Sequence, residues 1–262
     1  MANRVAHDED HQQAAFRADW QACSLYSGDV EVLGDAGGGG SRPSRVRLKP
    51  ANIIAFAKPA FSRGGVPEGA HEFIASELSH MMTGVTVPPV GFWKTPTGEL
   101  FALSIRAFQE PITWGDALPA LTADDHVALR PVFSASCVFH TWINDVDHNG
   151  HPGNLIVDAK GSPGNPKVAF IDHAFALTHQ WSDGSPPAAM PPHYYAQADD
   201  FVAKEVAATI ERVHSISREA RKSLILRIPT EFLPAATADA ILNCLERRAN
   251  ELTSAFAAVL RR

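Results

Sequence analysis

The sequence has few of the features that mark disulfide-rich or membrane-spanning proteins. Among 262 residues there are three cysteines and no CxxC pair, a pattern typical of reduced thiols rather than of a disulfide framework. No apolar run reaches about 18 residues, and no basic-then-apolar segment begins the chain. We therefore expect a cytoplasmic protein with no membrane insertion.

An excess of basic charge is also lacking. The formal net charge is −6, and the only local basic cluster is SRPSRVRLK at 41–49. Because affinity for phosphate-rich polymers and anionic membranes comes largely from lysine and arginine, neither direct nucleic-acid binding nor adhesion to such membranes is expected. With 45% hydrophobic and 20% charged residues, the composition is that of an ordinary globular protein.

The predicted elements change character along the chain. The first part contains one helix, at 67–84, among strands at 29–35, 45–48, 52–60, 87–93 and 99–105, of which the last four form two hairpins. The second part is mostly helical. Its helices are predicted at 122–144 and about 197–214, 216–227 and 236–261, with two short strands at 154–158 and 167–172. A short helix at 11–22 and a Ser-, Pro- and Gly-rich loop at 181–193 complete the pattern.

This order predicts an α+β, two-lobed architecture. We expect an N-terminal extension at 1–27, a small β-rich lobe with one main helix at 28–110, and a larger, mostly helical lobe at 111–262. Ligands usually bind in the cleft between such lobes.

A run of four glycines, Gly37, Gly38, Gly39 and Gly40, lies between two predicted strands. Glycine allows backbone N–H groups to approach phosphate oxygens closely. The run is neither a Walker A loop nor a Rossmann fingerprint, because it has no Gly-Lys-Ser/Thr and opens no helix. A flexible hairpin tip is the alternative interpretation.

Lys58 ends the most apolar predicted strand, IIAFAK. A lysine at the inner end of such a strand must extend to solvent or find a carboxylate partner. The following helix offers two partners, Glu72 and Glu77, and spacing alone does not choose between them. In the simplest alternative, both glutamates are solvated.

The segment DVDHNGHPGN joins a long apolar helix to a buried-looking strand. A phosphoryl-transfer site needs a carboxylate that receives a hydroxyl proton, and an amide oxygen and a second carboxylate that hold Mg²⁺. Asp147, Asn154 and Asp172 supply these groups in that order. Pairing of the two short strands would bring Asn154 and Asp172 together, although an ordinary solvated turn has a similar composition.

A transition-metal site is a second interpretation of the same region. Its ligands would be His140, His148, His151 and Asp172, since imidazoles and carboxylates bind such metals. No HxH or HExxH pair fixes two of these ligands on one element.

In chain order, these features resemble those of the HipA-like kinases, distant relatives of the phosphatidylinositol kinases. The supporting stretches are GGGGSRPSRVRL, FAKPA, HEFIASELSHMMTGVTVPPV, FHTWINDVDHNGHPGNLIVD, VAFIDHAFAL and RIPTEFL. The resemblance covers about residues 28–262 and implies a protein-kinase-like fold.

The resemblance also implies roles for individual residues. The glycine loop, with Ser41 and Ser44, would cover the phosphates of ATP, and SIRAFQEP at 104–111, including Arg106 and Phe108, would be the adenine-binding hinge. Lys58 would contact the α- and β-phosphates and pair with Glu72. Asp147 would be the catalytic base, with Asn154 and Asp172 as the Mg²⁺ ligands.

The sequence departs from the family pattern at two places. Many relatives have the catalytic Asp five residues before the metal-binding Asn, whereas that position here is Asn149 and Asp147 lies seven before Asn154. Some HipA-like sequences have this longer spacing, with an NLL like the NLI here, so Asp147 is favoured as the base and Asp145 is a weaker candidate. IDH stands where ordinary protein kinases have DFG, so His173 either bonds near the metal or packs in the core.

We expect an ATP- and Mg²⁺-dependent kinase that phosphorylates a protein Ser or Thr hydroxyl. The resemblance to some HipA-like toxins also implies an antitoxin-type regulator and autophosphorylation at Ser41 or Ser44. The alternatives are a lipid or small-molecule kinase, a nucleotide-binding pseudokinase and a nucleotidyltransferase.

Overall fold

The computed structural model describes residues 25–37, 42–161, 164–177 and 201–261. The helix predicted at 11–22, the loop at 181–193 and the start of the helix predicted at 197–214 lie outside the described residues. The same holds for Gly38, Gly39, Gly40 and Ser41.

The first part of the described chain forms a six-stranded sheet. Its strands are β1 (Leu25–Tyr26), β2 (Val30–Asp35), β3 (Ser44–Leu48), β4 (Ile53–Pro59), β5 (Val90–Lys94) and β6 (Leu100–Ile105), in the spatial order β1-β5-β6-β4-β3-β2. Both predicted hairpins, β3–β4 and β5–β6, are confirmed. The sheet begins with β1, which lies before the predicted boundary at residue 28 and runs parallel to β5.

Alternating small and large side chains give β4 two different faces. Ala55 and Ala57 pack with Val46, Leu48 and Leu103 in a small apolar cluster on one face of the sheet. Since side chains alternate along a strand, Lys58 points to the other face, where the main helix packs.

That helix, α1 (Glu68–Met82), confirms the prediction at 67–84 and packs closely on the sheet. A Cβ atom at Gly69 would lie 2.9 Å from the Cβ of Ala102 in β6, so only glycine fits this close approach. Phe73 of α1 contacts Phe92 of β5, with ring centroids 5.2 Å apart. The tight docking brings the first turns of α1 close to Lys58.

The second part contains a small sheet and the remaining described helices. The sheet order is β7-β8-β9, with β7 (Pro111–Thr113), β8 (Leu155–Asp158) and β9 (Val168–Phe170), all antiparallel. The helices are α2 (Trp114–Ala117), α3 (Ala123–Ile143), α4 (Ala203–Ser215), α5 (Arg218–Leu226), α6 (Ala235–Ala255) and α7 (Ala257–Leu260). The long helix at 122–144 and the two short strands are confirmed, whereas β7 and α2 were not predicted.

Helix α3 leads to the candidate site and is held at both ends. Thr122 and Asp125 form a capping box at its start. At its end, the Arg248 Nε donates to the backbone oxygens of Thr141 and Trp142, each at 3.1 Å. Asn144 then adopts a left-handed conformation, with φ 53°, and turns the chain out of the helix.

The main apolar core joins the two parts. It contains buried residues of α1, of α3 and of β8 and β9, so α1 packs against the helical part as well as the first sheet. Among the described residues, no helix has the length and apolar character that a membrane crossing requires.

Candidate active site

Lys58 lies at the centre of a network that joins the first sheet, α1 and the second part of the chain. Its Nζ is 2.8 Å from Glu72 Oε1 and 2.9 Å from Asp172 Oδ1. The side chains of Lys58 and Glu72 are 12% and 5% exposed, so the pair is largely withdrawn from water. Of the two partners that the sequence left open, the structure pairs Glu72 with Lys58.

Burial and charge act in opposite directions on this network. Burial opposes the charge of Lys58, but Glu72 and Asp172 outweigh it and raise the pKa of Lys58 above its usual value. Burial raises the pKa of the Glu72 carboxyl, and the nearby Lys58 offsets this only in part. Lys58 therefore keeps its positive charge at neutral pH.

Glu77, the other candidate, has a different partner. Its Oε2 lies 2.8 Å from Nη1 of Arg227, the residue after α5. The Arg227 guanidinium lies over the Phe73 ring, 5.4 Å from its centroid. Glu77 thus joins α1 to the helical part, one turn beyond Glu72.

The loop between α3 and β8 brings Asp147 and Asn154 together. Two short 3₁₀ turns, at Asp147–Asn149 and Pro152–Asn154, fold the loop back. The Asn154 Nδ2 donates to Asp147 Oδ2 at 2.8 Å, which leaves the Asn154 amide oxygen as an acceptor. His151 Nδ1 lies 2.6 Å from Asp147 Oδ1.

Asp145, the weaker candidate for the base, is buried below this loop. Its side chain is 0% exposed, with Oδ2 3.0 Å from His148 Nδ1. Its Oδ1 accepts a long hydrogen bond from the Asp147 N–H, at 3.3 Å. Asp147 is 18% exposed and therefore the carboxylate of the two that a substrate hydroxyl can reach.

Asp172 follows β9 and lies beside Asn154. The Ile171 N–H donates to the Asn154 carbonyl at 2.9 Å and so extends the β8–β9 pairing to the ends of both strands. Asp172 has φ 63°, a left-handed conformation uncommon outside glycine but tolerated by aspartate. This bend accompanies the contact between Asp172 and Lys58.

The donor set fits Mg²⁺, which prefers oxygen ligands and usually keeps waters and substrate phosphates in its shell. The Asn154 amide oxygen is oriented by the bond from its Nδ2 to Asp147, and Asp172 is 33% exposed, so its carboxylate is open to the cleft. These two residues would hold the ion, as the resemblance implies.

Other predicted contacts are only partly described. Gly37, at the end of β2, has φ 72°, and its N–H donates to Asp35 Oδ1 at 2.9 Å. The Arg106 N–H is bonded to the Ile54 carbonyl at 3.0 Å, so that donor is not open to adenine. Phe108 is half-buried in the segment between β6 and β7. The phosphate and adenine contacts stay predictions.

The predicted site of His140, His148, His151 and Asp172 is wrong as a group. His151 is 66% exposed and contacts Asp147, while Asp172 faces Lys58. Only His140 and His148 come together, and they do so in the core with His173. The sequence predicts His173 either near the metal or in the core, but does not identify its partners. The sequence signal for this residue is its position directly after Asp172.

The sheet-and-helix part that carries Lys58 and Glu72, the helical part behind it, and the site between them define a two-lobed, kinase-like fold. One solved structure that shares it is that of the Helicobacter pylori proinflammatory kinase CtkA, with a TM-score of 0.64. The two chains are 13% identical, and the alignment covers 90% of this chain and 98% of that one. No protein-family model and no curated protein sequence matches this chain.

Proposed function

We propose that this protein is an ATP- and Mg²⁺-dependent kinase that transfers the γ-phosphoryl group to a protein Ser or Thr hydroxyl, as HipA-like kinases do. The observation that carries the proposal is the Lys58–Glu72–Asp172 network, which connects the two lobes at the cleft. Asp147 and Asn154 lie on the adjoining loop. CtkA, which has the same fold, is described as a kinase.

Each residue has a role set by its position. Lys58, held by Glu72, would bind the α- and β-phosphates and neutralise negative charge during transfer. Asn154 and Asp172 would hold Mg²⁺, which bridges the phosphates and supplies further positive charge. Asp147 would orient the acceptor hydroxyl and accept its proton.

The contacts of Asp147 support its proposed role as the base. One of its oxygens is held by Asn154 and the other by His151. Because His151 is 66% exposed, it can move into solvent at little cost and leave Oδ1 to the hydroxyl. Asn154 would keep the carboxylate in place meanwhile.

A protein acceptor is favoured over a lipid by the charge of the chain. A kinase that works on a membrane surface usually presents clustered lysine and arginine, whereas this chain has a net charge of −6. A pseudokinase is disfavoured because Lys58, Asp147, Asn154 and Asp172 are all retained.

The first experiment is a calorimetric titration of ATP into wild type and Asp172→Asn, with and without Mg²⁺. We expect Mg²⁺-dependent binding to wild type and a sharp loss in the variant. Binding that is equal in both proteins, or absent from both, would contradict the proposal. Product mass after incubation with a protein acceptor then separates phosphorylation from transfer of a nucleotidyl group.

A further inference from the structure

Three histidines that play no part in the proposed reaction are packed together in the core. His140 lies on α3, His148 on the loop after it, and His173 directly follows Asp172. Each is 1% exposed. The ring centroids are 4.4 Å apart for His140 and His148, 4.5 Å for His148 and His173, and 5.7 Å for His140 and His173.

Two of these side chains carry polar atoms that the described part of the protein leaves unsatisfied. The Nε2 atoms of His140 and His173 are buried and have no hydrogen-bond partner among the described residues. A buried polar atom without a partner destabilises the folded state, so such atoms indicate a missing ligand or partner.

His148 has the partner that a metal-binding histidine typically has. Its Nδ1 lies 3.0 Å from a carboxylate oxygen of the fully buried Asp145. In metal sites, a carboxylate that accepts the second ring N–H of a ligating histidine fixes the tautomer and the orientation of the ring. Asp145 would thus fix the tautomer and the orientation of the His148 ring.

We propose that His140, His148 and His173, with a water molecule as the fourth ligand, bind one zinc ion at a site separate from the candidate magnesium site. One possible ligand atom from each residue lies within 4.8 Å of the other two. With Zn–N distances of about 2.1 Å, tetrahedral ligand nitrogens lie about 3.4 Å apart, so the ligand atoms would need to approach one another by up to about 1.4 Å. Imidazole rings around such an ion have centroids about 5 Å apart, close to the spacing observed here.

The ligand chemistry separates this site from the magnesium site a few residues away. Three imidazoles suit zinc and other transition metals, whereas Mg²⁺ prefers the oxygens that Asn154 and Asp172 offer. A bound ion would join the end of α3, the loop that carries Asp147 and the bend that carries Asp172. Its role would be to hold these three segments in register, independent of which acceptor the kinase uses.

The test is zinc binding by the full chain after removal of metal with a chelator. Zinc would be titrated in competition with a chromogenic chelator, with wild type expected to bind one equivalent. His140→Gln and His173→Gln are each expected to lower the zinc affinity at least 100-fold. Asp145→Asn is expected to lower it about 10–100-fold, the usual effect of removing such a carboxylate.

Two matched variants serve as controls. His71 is also buried, but lies on α1 with Nδ1 3.2 Å from the Ala174 carbonyl, so His71→Gln should bind zinc as wild type does. Asp172→Asn should also bind zinc normally. If Asp172→Asn loses zinc as completely as His173→Gln, the ion occupies the magnesium site and the proposal is overturned.

A spectroscopic measurement keeps the proposal testable if a histidine variant does not fold. Cobalt(II) substituted into wild type should show the visible absorption of tetrahedral coordination, and X-ray absorption of the zinc protein should show imidazole scattering. An oxygen-only shell, or less than one equivalent of zinc in wild type, would overturn the proposal. The three rings would then be packed side chains of the core, with His148 next to the buried carboxylate of Asp145.

Discussion

Two Asp-His pairs that are adjacent in sequence, Asp147–His148 and Asp172–His173, divide between two regions of the molecule. The aspartates lie at the cleft, where Asp147 is 18% and Asp172 33% exposed. The histidines lie in the core, where each is 1% exposed. The same short segments thus present carboxylates at the cleft and imidazoles in the core.

The difference in exposure between the aspartates and the histidines suits the two regions to different ligands. At the cleft, oxygen donors remain accessible, as binding and release of nucleotide require. In the core, imidazoles are withdrawn from water, so any ion there would enter as the protein folds and would leave slowly. Variants at neighbouring positions should therefore have separable effects.

The largest expected effect on catalysis is that of Asp172→Asn. Loss of the carboxylate charge should reduce phosphoryl transfer about 1000-fold or more, since a preorganised charge at the γ-phosphate is removed. The measurement is transfer of labelled γ-phosphate from ATP. Asp158→Asn, at the end of β8 in the same small sheet, is the matched control and should retain activity. Substantial turnover by Asp172→Asn would remove this residue from the proposed mechanism.

The largest expected effect on stability is that of Lys58→Met. Without Lys58, the buried Glu72 carboxylate has lost its counter-charge, and the free energy of unfolding should fall by about 3–5 kcal/mol. Chemical denaturation measures the change. The double variant Lys58→Met/Glu72→Leu should recover most of the stability but none of the activity, because it removes the unpaired charge and not the need for a phosphate-binding lysine.

An exposed ion pair gives the control for Lys58→Met. Lys94 lies 3.2 Å from Glu231, and the two side chains are 48% and 41% exposed. Lys94→Met should change the free energy of unfolding by less than about 1 kcal/mol, because solvent screens such pairs. An equal loss in both lysine variants would mean that burial of Glu72 has no special cost.

Zinc should have an intermediate effect on stability, and this effect should depend on the histidines of the core. At a free concentration of about 100 times its Kd, zinc should stabilise wild type by about 2.7 kcal/mol. His173→Gln should gain little from the same concentration, and Asp172→Asn should gain as much as wild type. If zinc stabilised His173→Gln as much as wild type, zinc would not act through the histidines of the core.

The smallest expected effect is that of Thr122→Ala, at the start of α3 and far from both regions. Loss of the N-cap should lower the free energy of unfolding by about 1 kcal/mol, with zinc and ATP affinities unchanged.

Hydrogen bonds from the backbone and side chain of Thr122, and from the Gly164 backbone, lower the pKa of Asp125. A lowered carboxyl pKa contributes stability above the usual value of about 3.9 and loses it as pH falls through the lowered value. The difference between wild type and variant should therefore shrink in acid.

Much of the fold could be predicted from the sequence because local patterns carry it. The hairpins β3–β4 and β5–β6 follow from apolar runs separated by turn residues, and α3 follows from its Thr cap and long apolar pattern. The single long helix predicted at 236–261 is instead interrupted at Phe256, between α6 and α7. Strand β1 was missed because two residues carry too little pattern to be distinguished from a loop.

The sequence by itself determined which residues could carry chemistry, and tertiary structure decided how they are combined. The spacing of Lys58, Asp147, Asn154 and Asp172 along predicted strands and loops already indicated one site. The pairing of Lys58 with Glu72 rather than Glu77 depended on the close docking of α1 at Gly69. The grouping of His173 with His140 depended on the course of the chain after β9. These outcomes depend on packing between segments distant in sequence, which no local pattern encodes.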